Sequence, residues 1–366
     1  MKLHVVNAAE GDCLLLESGD TTPRFALVDG GPPGNYDKFG RRYLADAVGP
    51  AGKLDLAIVS HVDADHIVGV LDLLAHIEEE LANERPAITI TDLWHNSFTE
   101  SVDTPAQDIS QGIQALLDAA GAEKMALALG QTVFYGIGQG VRLALSARRL
   151  GIPVNHAFDG ALISPDSVFG SVHSIGDLNL QVVGPTDANL RQLQREWLEW
   201  LAKHSQSFAA EGPTALANAD RSIPNLSSIV LLVSDLHHRM LLTGDARGDH
   251  ILDGLEEAGL LDDEGSIHLD LLKVQHHGSN RNATKTFFRK VTADRYVVSA
   301  NGKNGNPDLE TLEWIVTAAS GATKPIDIYV TNETPSLDEL RAQHPPAASN
   351  YRLHVGTGAS QVIDFQ

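Results

Sequence analysis

The stretch Val59-Ser60-His61-Val62-Asp63-Ala64-Asp65-His66 constrains this chain more than any other. Two imidazoles and two carboxylates fall within six positions, after an apolar run and before a helical pattern. A strand-to-helix turn aims successive side chains into one cleft. These are the ligand types that hold divalent zinc or manganese. A solvated turn carries one or two such groups; this density, with only small or apolar residues between, points to a metal centre.

Two later apolar runs end in related chemistry. Arg239-Met240-Leu241-Leu242-Thr243-Gly244-Asp245 runs into a carboxylate, a group able to bridge two cations. Leu271-Leu272-Lys273-Val274-Gln275-His276-His277-Gly278-Ser279 runs into adjacent histidines. Either alone is an ordinary strand end. Together with the first stretch they predict a cleft holding two divalent metal ions, zinc or manganese. Two ions flanking one carboxylate suit hydrolysis by a hydroxide formed from water whose pKa falls towards ~7. Asp245, Asp65 and His276 are the candidate catalytic residues, with His276 placed to contact a phosphate oxygen or pass a proton.

Periodicity gives the frame. Short apolar runs at 3–7, 13–17, 25–29 and 56–60 read as strands, and 30–34 is a Gly/Pro loop. Residues 66–82 carry apolar positions at helical spacing, and 88–94 reads as a strand. A helix is expected over 109–120, while 136–184 has no firm pattern. Residues 187–204 form an amphipathic helix candidate with Leu190, Leu193, Trp197 and Leu201 on one face. Residues 209–223 read as a loop or lid. A hairpin over 226–234 and 239–243 turns near Asp235, followed by a helix over 247–260, a strand over 269–274 and a helix over 284–291. A strand over 295–299, a helix over 309–319 and a strand over 326–331 complete the pattern. This strand–helix alternation implies an α/β fold of sheets covered by helices. The 366 residues read as one domain, with strand-rich halves at 1–95 and 226–366 flanking a central insertion or lid at 96–224.

The motif set Ser-His-x-Asp-x-Asp-His, Leu-Leu-Thr-Gly-Asp and Leu-Lys-Val-x-His-His-Gly-Ser resembles the metallo-β-lactamase superfamily. Its nearest branch is the hydrolase domain of ComEC-type DNA-uptake proteins and the phosphorylcholine esterases. Glu10-Gly11-Asp12, Leu27-Val28-Asp29-Gly30-Gly31 and Asn225-Leu226-Ser227-Ser228-Ile229-Val230 extend the match over about 1–95 and 225–335. The resemblance implies an αββα sandwich with the site where the two sheets meet. It implies that His61, Asp63 and His277 hold one ion and Asp65 and His66 the other, with Asp245 bridging and Asp29 supporting a ligand from behind. The branch carries a further histidine before a proline; here Asn304-Gly305-Asn306-Pro307 puts Asn306 in its place, a neutral oxygen ligand that implies a weaker second site.

Charge bears on the substrate. The net charge of −21 opposes long polyanions, yet six basic residues and one acid lie between Lys273 and Arg295. Arg281, Lys285 and Arg289, just after the histidine pair, are the candidate substrate-binding residues. The resulting expectation is a phosphodiesterase or nuclease acting on DNA or a nucleotide. Hydrolysis of a small ester, lactone, thioester or signalling nucleotide is the alternative, and a catalytically weakened metal-binding partner subunit is the non-enzymatic one. A protein partner would meet the chain through the central insertion. One cysteine, Cys13, no leader pattern and no apolar run of the ~18–20 residues that cross a bilayer predict a cytoplasmic protein without membrane contact.

Overall fold

Side chains alternate between the two faces of a strand. In β2 (Leu14–Glu17) both faces are apolar: Leu14 and Leu16 join one core cluster and Leu15 another. A sheet of such strands must be covered on both sides. The structure, a computed structural model, describes residues 1–96, 131–168, 170–192, 227–319 and 323–365.

The first sheet runs in the order β16 (Ser360–Asp364), β1 (Lys2–Val6), β2, β3 (Phe25–Val28), β5 (Leu56–Val59), β7 (Leu93–His95). The second runs β15 (Tyr351–Val355), β14 (Ile326–Val330), β13 (Val291–Val298), β12 (Ile267–Lys273), β11 (Arg239–Leu242), β10 (Val230–Ser234), β9 (Leu178–Gly184), β8 (Val172–Ile175). A short pair, β4 (Lys53–Leu54) and β6 (Thr89–Ile90), stands apart. Leu3, Leu14, Leu16 and Ile58 of the first sheet share a core with Leu180, Leu231, Val233 and Leu271 of the second. Outside the first sheet pack α1 (Arg41–Val48), α2 (Ala64–Ala82) and α3 (Gln131–Leu150), through Leu44, Ile67, Leu74, Leu143 and Ala147. Outside the second pack α4 (Gly248–Glu257), α5 (Lys285–Lys290), α6 (Leu309–Ala318) and α7 (Pro335–Gln343), through Leu255, Phe287, Leu312, Ile315 and Leu340. The order of layers is αββα, as expected from the sequence.

Strand direction gathers the loops that matter. Two antiparallel pairings make β1 run with β3, and β3 runs with β5. In the second sheet β11, β12 and β13 are parallel neighbours. The C-terminal ends of each set therefore share one edge, the usual place for sites in parallel sheets. Loops from the two edges are stitched by Ile229 N donating to Ser60 O (2.9 Å) and Asn7 Nδ2 donating to Asn332 Oδ1 (2.9 Å).

Several expectations shift. The 88–94 strand is broken into β6 and β7 around Asp92, whose carboxylate accepts from Trp94 Nε1, His156 N and Ala157 N. The 295–299 strand starts at Val291, and the 247–260 helix ends at Glu257. The unplaced 136–184 stretch contains the end of α3 and all of β8 and β9. The 96–224 region expected to be an insertion thus supplies two strands of the second sheet, with β9 paired to β10. Periodicity gave no sign of α1, α7, β15 or β16. The helix expected over 109–120, the lid at 209–223 and the positions Leu193, Trp197 and Leu201 lie outside the described residues, while 187–192 is helical.

Candidate metal centre

Two glycines fix where the first ligands stand. Gly30 follows β3 and Gly69 sits on α2; a Cβ on Gly69 would lie 1.9 Å from Gly30 O, and one on Gly30 2.3 Å from Val70 N. Backbone therefore meets backbone, and Gly30 N donates to His66 O (2.8 Å). This contact seats the first turn of α2, which carries Asp65 and His66, against the end of β3, which carries Asp29. Gly11 does the same from the β1–β2 loop: its Cβ would fall 1.9 Å from Asp65 O.

On the other side, β12 ends in a turn in which His276, His277 and Gly278 are all left-handed, at φ 46°, 55° and 84°. Non-glycine residues rarely adopt this region, and successive ones are rarer; such strain concentrates at functional sites. The turn throws the two adjacent imidazoles to different sides of one carboxylate. His277 Nε2 lies 3.6 Å from Asp245 Oδ1, and His276 Nε2 lies 3.6 Å from Asp245 Oδ2.

The other candidate ligands sort by the same carboxylate. Around Asp245 Oδ1 stand His66 Nε2 at 3.3 Å and His277 Nε2, with His66 Nε2 3.3 Å from His277 Nε2 and Asp65 Oδ2 3.6 Å from His277 Nε2. Around Oδ2 stand His61 Nε2 at 3.7 Å and His276 Nε2, with Asp63 Oδ2 3.7 Å from His61 Nε2. This regroups the sequence expectation. His277 stands with Asp65 and His66, and His276 takes the place beside His61 that His277 was expected to hold. The left-handed turn is the cause.

The far nitrogen of each ring fixes its tautomer. His66 Nδ1 donates to Asp29 Oδ2 (2.8 Å), and His277 Nδ1 to the carbonyl of Ser299 (3.0 Å). Neither acceptor can donate. His276 Nδ1 donates to Asn282 Oδ1 (2.6 Å); the amide cannot be flipped, because its Nδ2 donates to Asp245 O (2.8 Å). Ser60 Oγ gives its proton to Asp29 Oδ2 (2.7 Å), so it accepts from His61 Nδ1 (3.1 Å). Each Nε2 of a neutral ring then presents a lone pair to other lone pairs.

That arrangement calls for positive charge. His61 Nε2, Asp63 Oδ1 and Asp245 Oδ1 are buried with no hydrogen-bond partner, a costly state unless a cation meets them. Burial pushes the Asp245 carboxyl up, but the imidazoles of His276, His66 and His277 outweigh it and hold it well below the ordinary carboxylate range. Burial pushes His66 down, yet the carboxylates of Asp245 and Asp29 hold it well above the usual imidazole range, so a proton on Nε2 can stand where a cation would otherwise meet these oxygens. The residues present fit divalent metal.

Sequence reasoning missed the back of the site. Asp12 lies in one buried group with His66, Asp245 and His277, their ligand atoms within 4.8 Å of one another. Its Oδ2 is 2.8 Å from the Nζ of fully buried Lys273, a charge already matched. Burial raises the Asp12 carboxyl, and Lys273 and then His277 pull it below its ordinary value. A lysine inside the apolar run Leu271–Val274 was the available signal, since such a charge stays buried only when paired. Its burial also removes Lys273 from the expected basic surface. Asn306 donates through Nδ2 to His276 O (3.4 Å), bearing on the main chain of the histidine turn. Arg281, Lys285 and Arg289 are exposed, and Phe287 and Phe288 form the buried side of α5.

No family model matches the chain, and no curated protein matches it. Two solved structures are similar to it across 100% of its length. One is described as the metallo-beta-lactamase fold protein YhfI from Bacillus subtilis, at 13% identity, TM-score 0.41 and 100% of that chain. The other is described as a new diphosphatase from the PhnP family, at 11% identity, TM-score 0.38 and 98% of that chain.

Proposed function

We propose that this chain is a metal-dependent phosphodiesterase that holds two divalent ions, zinc or manganese, and cleaves a phosphodiester of DNA or a nucleotide. The observation that carries the reading is Asp245, whose two oxygens each face a separate set of imidazole nitrogens. When bound, the two ions supply an acidified water, polarise the scissile group and neutralise developing charge. Asp65, His66 and His277 would hold one ion and His61, Asp63 and His276 the other, with Asp245 offering one oxygen to each set. Asn306 braces His276 and is left out of both sets. The side chains open to solvent are His276 at 30%, Asp65 at 26% and Asp63 at 16%. These are the groups nearest an entering substrate, and a carboxylate oxygen of Asp65 or Asp63 not engaged by an ion could accept a hydrogen bond from the incoming water. Asp29, Ser299 and Asn282 keep the imidazoles in the ligand tautomer throughout.

The test is elemental analysis with activity on bis-p-nitrophenyl phosphate under added manganese, zinc or magnesium. Two ions per chain are expected, the more open His61 set binding the weaker one, and Asp245→Ala should abolish both turnover and two-ion binding. A stoichiometry that never exceeds one overturns the two-ion reading. The net charge of −21 favours a second reading, hydrolysis of a small ester or signalling nucleotide; p-nitrophenyl acetate turned over in preference to the phosphodiester would select it.

A further inference from the structure

An ion pair joins loops from the two sheets beside the candidate metal centre. Lys303 Nζ is hydrogen-bonded to Glu10 Oε1, and Glu10 Oε2 accepts from Asn301 Nδ2 (3.2 Å). Glu10 sits in the β1–β2 loop, next to the Gly11 that packs on Asp65 O. Lys303 sits in the loop after β13, whose far end is pinned beside His277: Pro307 packs on Gly278, and Asp308 N donates to Gly278 O (3.0 Å). That loop is itself closed, with Gly302 N donating to Asn306 O (3.1 Å) and Lys303 N to Asn301 Oδ1 (2.9 Å). Its backbone is therefore braced, while the lysine side chain is 63% exposed and the Glu10 side chain 16% exposed.

We infer that Lys303 is the residue that selects an anionic substrate, and that Glu10 is the occupant the substrate's non-bridging oxygen displaces from it. This rests on the phosphodiesterase reading and names its specificity. The Lys303 side of the pair is open to solvent and screened, so exchanging Glu10 for a phosphoryl oxygen on that ammonium costs little. The carboxylate of Asp65 adds to the upward push that Glu10 gives the Lys303 ammonium, which sets that ammonium within electrostatic reach of the ligand group. An ester without charge gains nothing from Lys303 and leaves the pair closed. Asn301 retains Glu10 after the exchange, so its carboxylate does not swing into the cleft as a rival.

The test compares wild type, Lys303→Met, Lys303→Arg and Glu10→Gln, each loaded with manganese and checked for equal metal content and melting temperature. Calorimetry with inorganic phosphate reads binding; KM for bis-p-nitrophenyl phosphate, divided by KM for neutral p-nitrophenyl acetate, reads selection. Lys303→Met should weaken phosphate binding and raise the KM ratio by about tenfold, the scale of one charge-assisted contact, with kcat for the phosphodiester little changed. Lys303→Arg should restore most of the loss. Glu10→Gln should move both readouts the other way, since the lysine is released. The inference is overturned if Lys303→Met matches wild type, or if Glu10→Gln weakens phosphate as much as Lys303→Met does, which would make the pair a structural bracket. Failure of wild type to cleave the phosphodiester would overturn the function instead, and phosphate calorimetry would still judge the pair.

Discussion

The side chain on which most of the centre hangs is Asp29, which touches no other carboxylate of the group. It accepts from Ser60 N (2.7 Å), Ser60 Oγ (2.7 Å) and His66 Nδ1 (2.8 Å), and sits at φ 61°. Asparagine tolerates that backbone but turns one acceptor into a donor facing donors. Asp29→Asn should fold and lose roughly 10–100-fold in metal affinity, read by calorimetry, while His237→Ala at the exposed hairpin tip should match wild type. Equal affinities in the two variants would show that Asp29 does not orient His66. His95 gives a pH signature. Burial pushes its imidazole down to about 4, from an ordinary 6.5. The unfolded chain takes the proton first, so stability is full above pH 6.5 and falls as pH drops towards 4. The loss is of order 3 kcal/mol for such a shift. Denaturant melts of metal-free wild type and His95→Asn should diverge across that window; parallel curves would refute the assignment. At this scale the sequence was legible where ligands are consecutive. That His61, Asp63, Asp65, His66, Asp245 and His277 converge could be read because imidazoles and carboxylates crowded at strand ends point to one cleft. Asn282 and the Ser299 carbonyl could not, since a hydrogen-bond acceptor that fixes a tautomer leaves no mark on the residue string.

Elements were legible where one period dominates. α2 repeats apolar positions over five turns, and β12 is an apolar run between turns, so both were found within two residues of their ends. β8 and β16 were missed because edge strands expose one side: Val172 and Val362 are open to solvent, and the alternation looks like loop. The order of strands in a sheet is set by long-range pairing, which no local pattern carries; Lys2 opposite Asp364 is the extreme case. What local pattern did hold, unread, was the reason for Gly69. Glycine inside a helix costs about 1 kcal/mol relative to alanine, and here it permits α2 to touch the Gly30 backbone. Gly69→Ala therefore trades a propensity gain for a clash with main chain. It should lower stability by about 1–3 kcal/mol and weaken metal binding as well, because the first turn of α2 must move with Asp65 and His66. A melt and a metal titration on the same sample check both. Reduced stability with metal affinity intact would mean that the turn is held by something other than the approach of these two backbones.

For the molecule as a whole, charge and architecture pull in different directions. No helix among the described residues is long and apolar enough to cross a membrane, and the cleft opens between two sheets on a chain of net charge −21. Long-range repulsion should slow any polyanion, and local cations must offset it at the rim. The expected basic rim is thinner than its sequence suggested. Lys273 is buried with Asp12, and Arg295 lies over the Phe365 ring at 4.9 Å. Just before Arg281, Asn280 is held by Asp308 (2.8 Å) and Glu310 (3.1 Å), which brings carboxylates to the same rim. Arg281, Lys285 and Arg289 remain exposed. If the substrate is DNA, replacing all three with alanine should raise KM. It should also flatten the salt dependence of binding by roughly one unit of slope for each phosphate no longer neutralised. Metal content should not change, because none of the three is a ligand. A mononucleotide phosphodiester spans one phosphate and cannot reach along α5, so its KM should be nearly unaffected by the same substitutions. Binding of single-stranded and duplex oligonucleotides from low to high salt, beside turnover of bis-p-nitrophenyl phosphate, separates the cases. A triple variant indistinguishable from wild type on every oligonucleotide would leave Lys303 as the cation that meets substrate and point to a short phosphodiester, consistent with an acidic surface that no long polyanion has to approach.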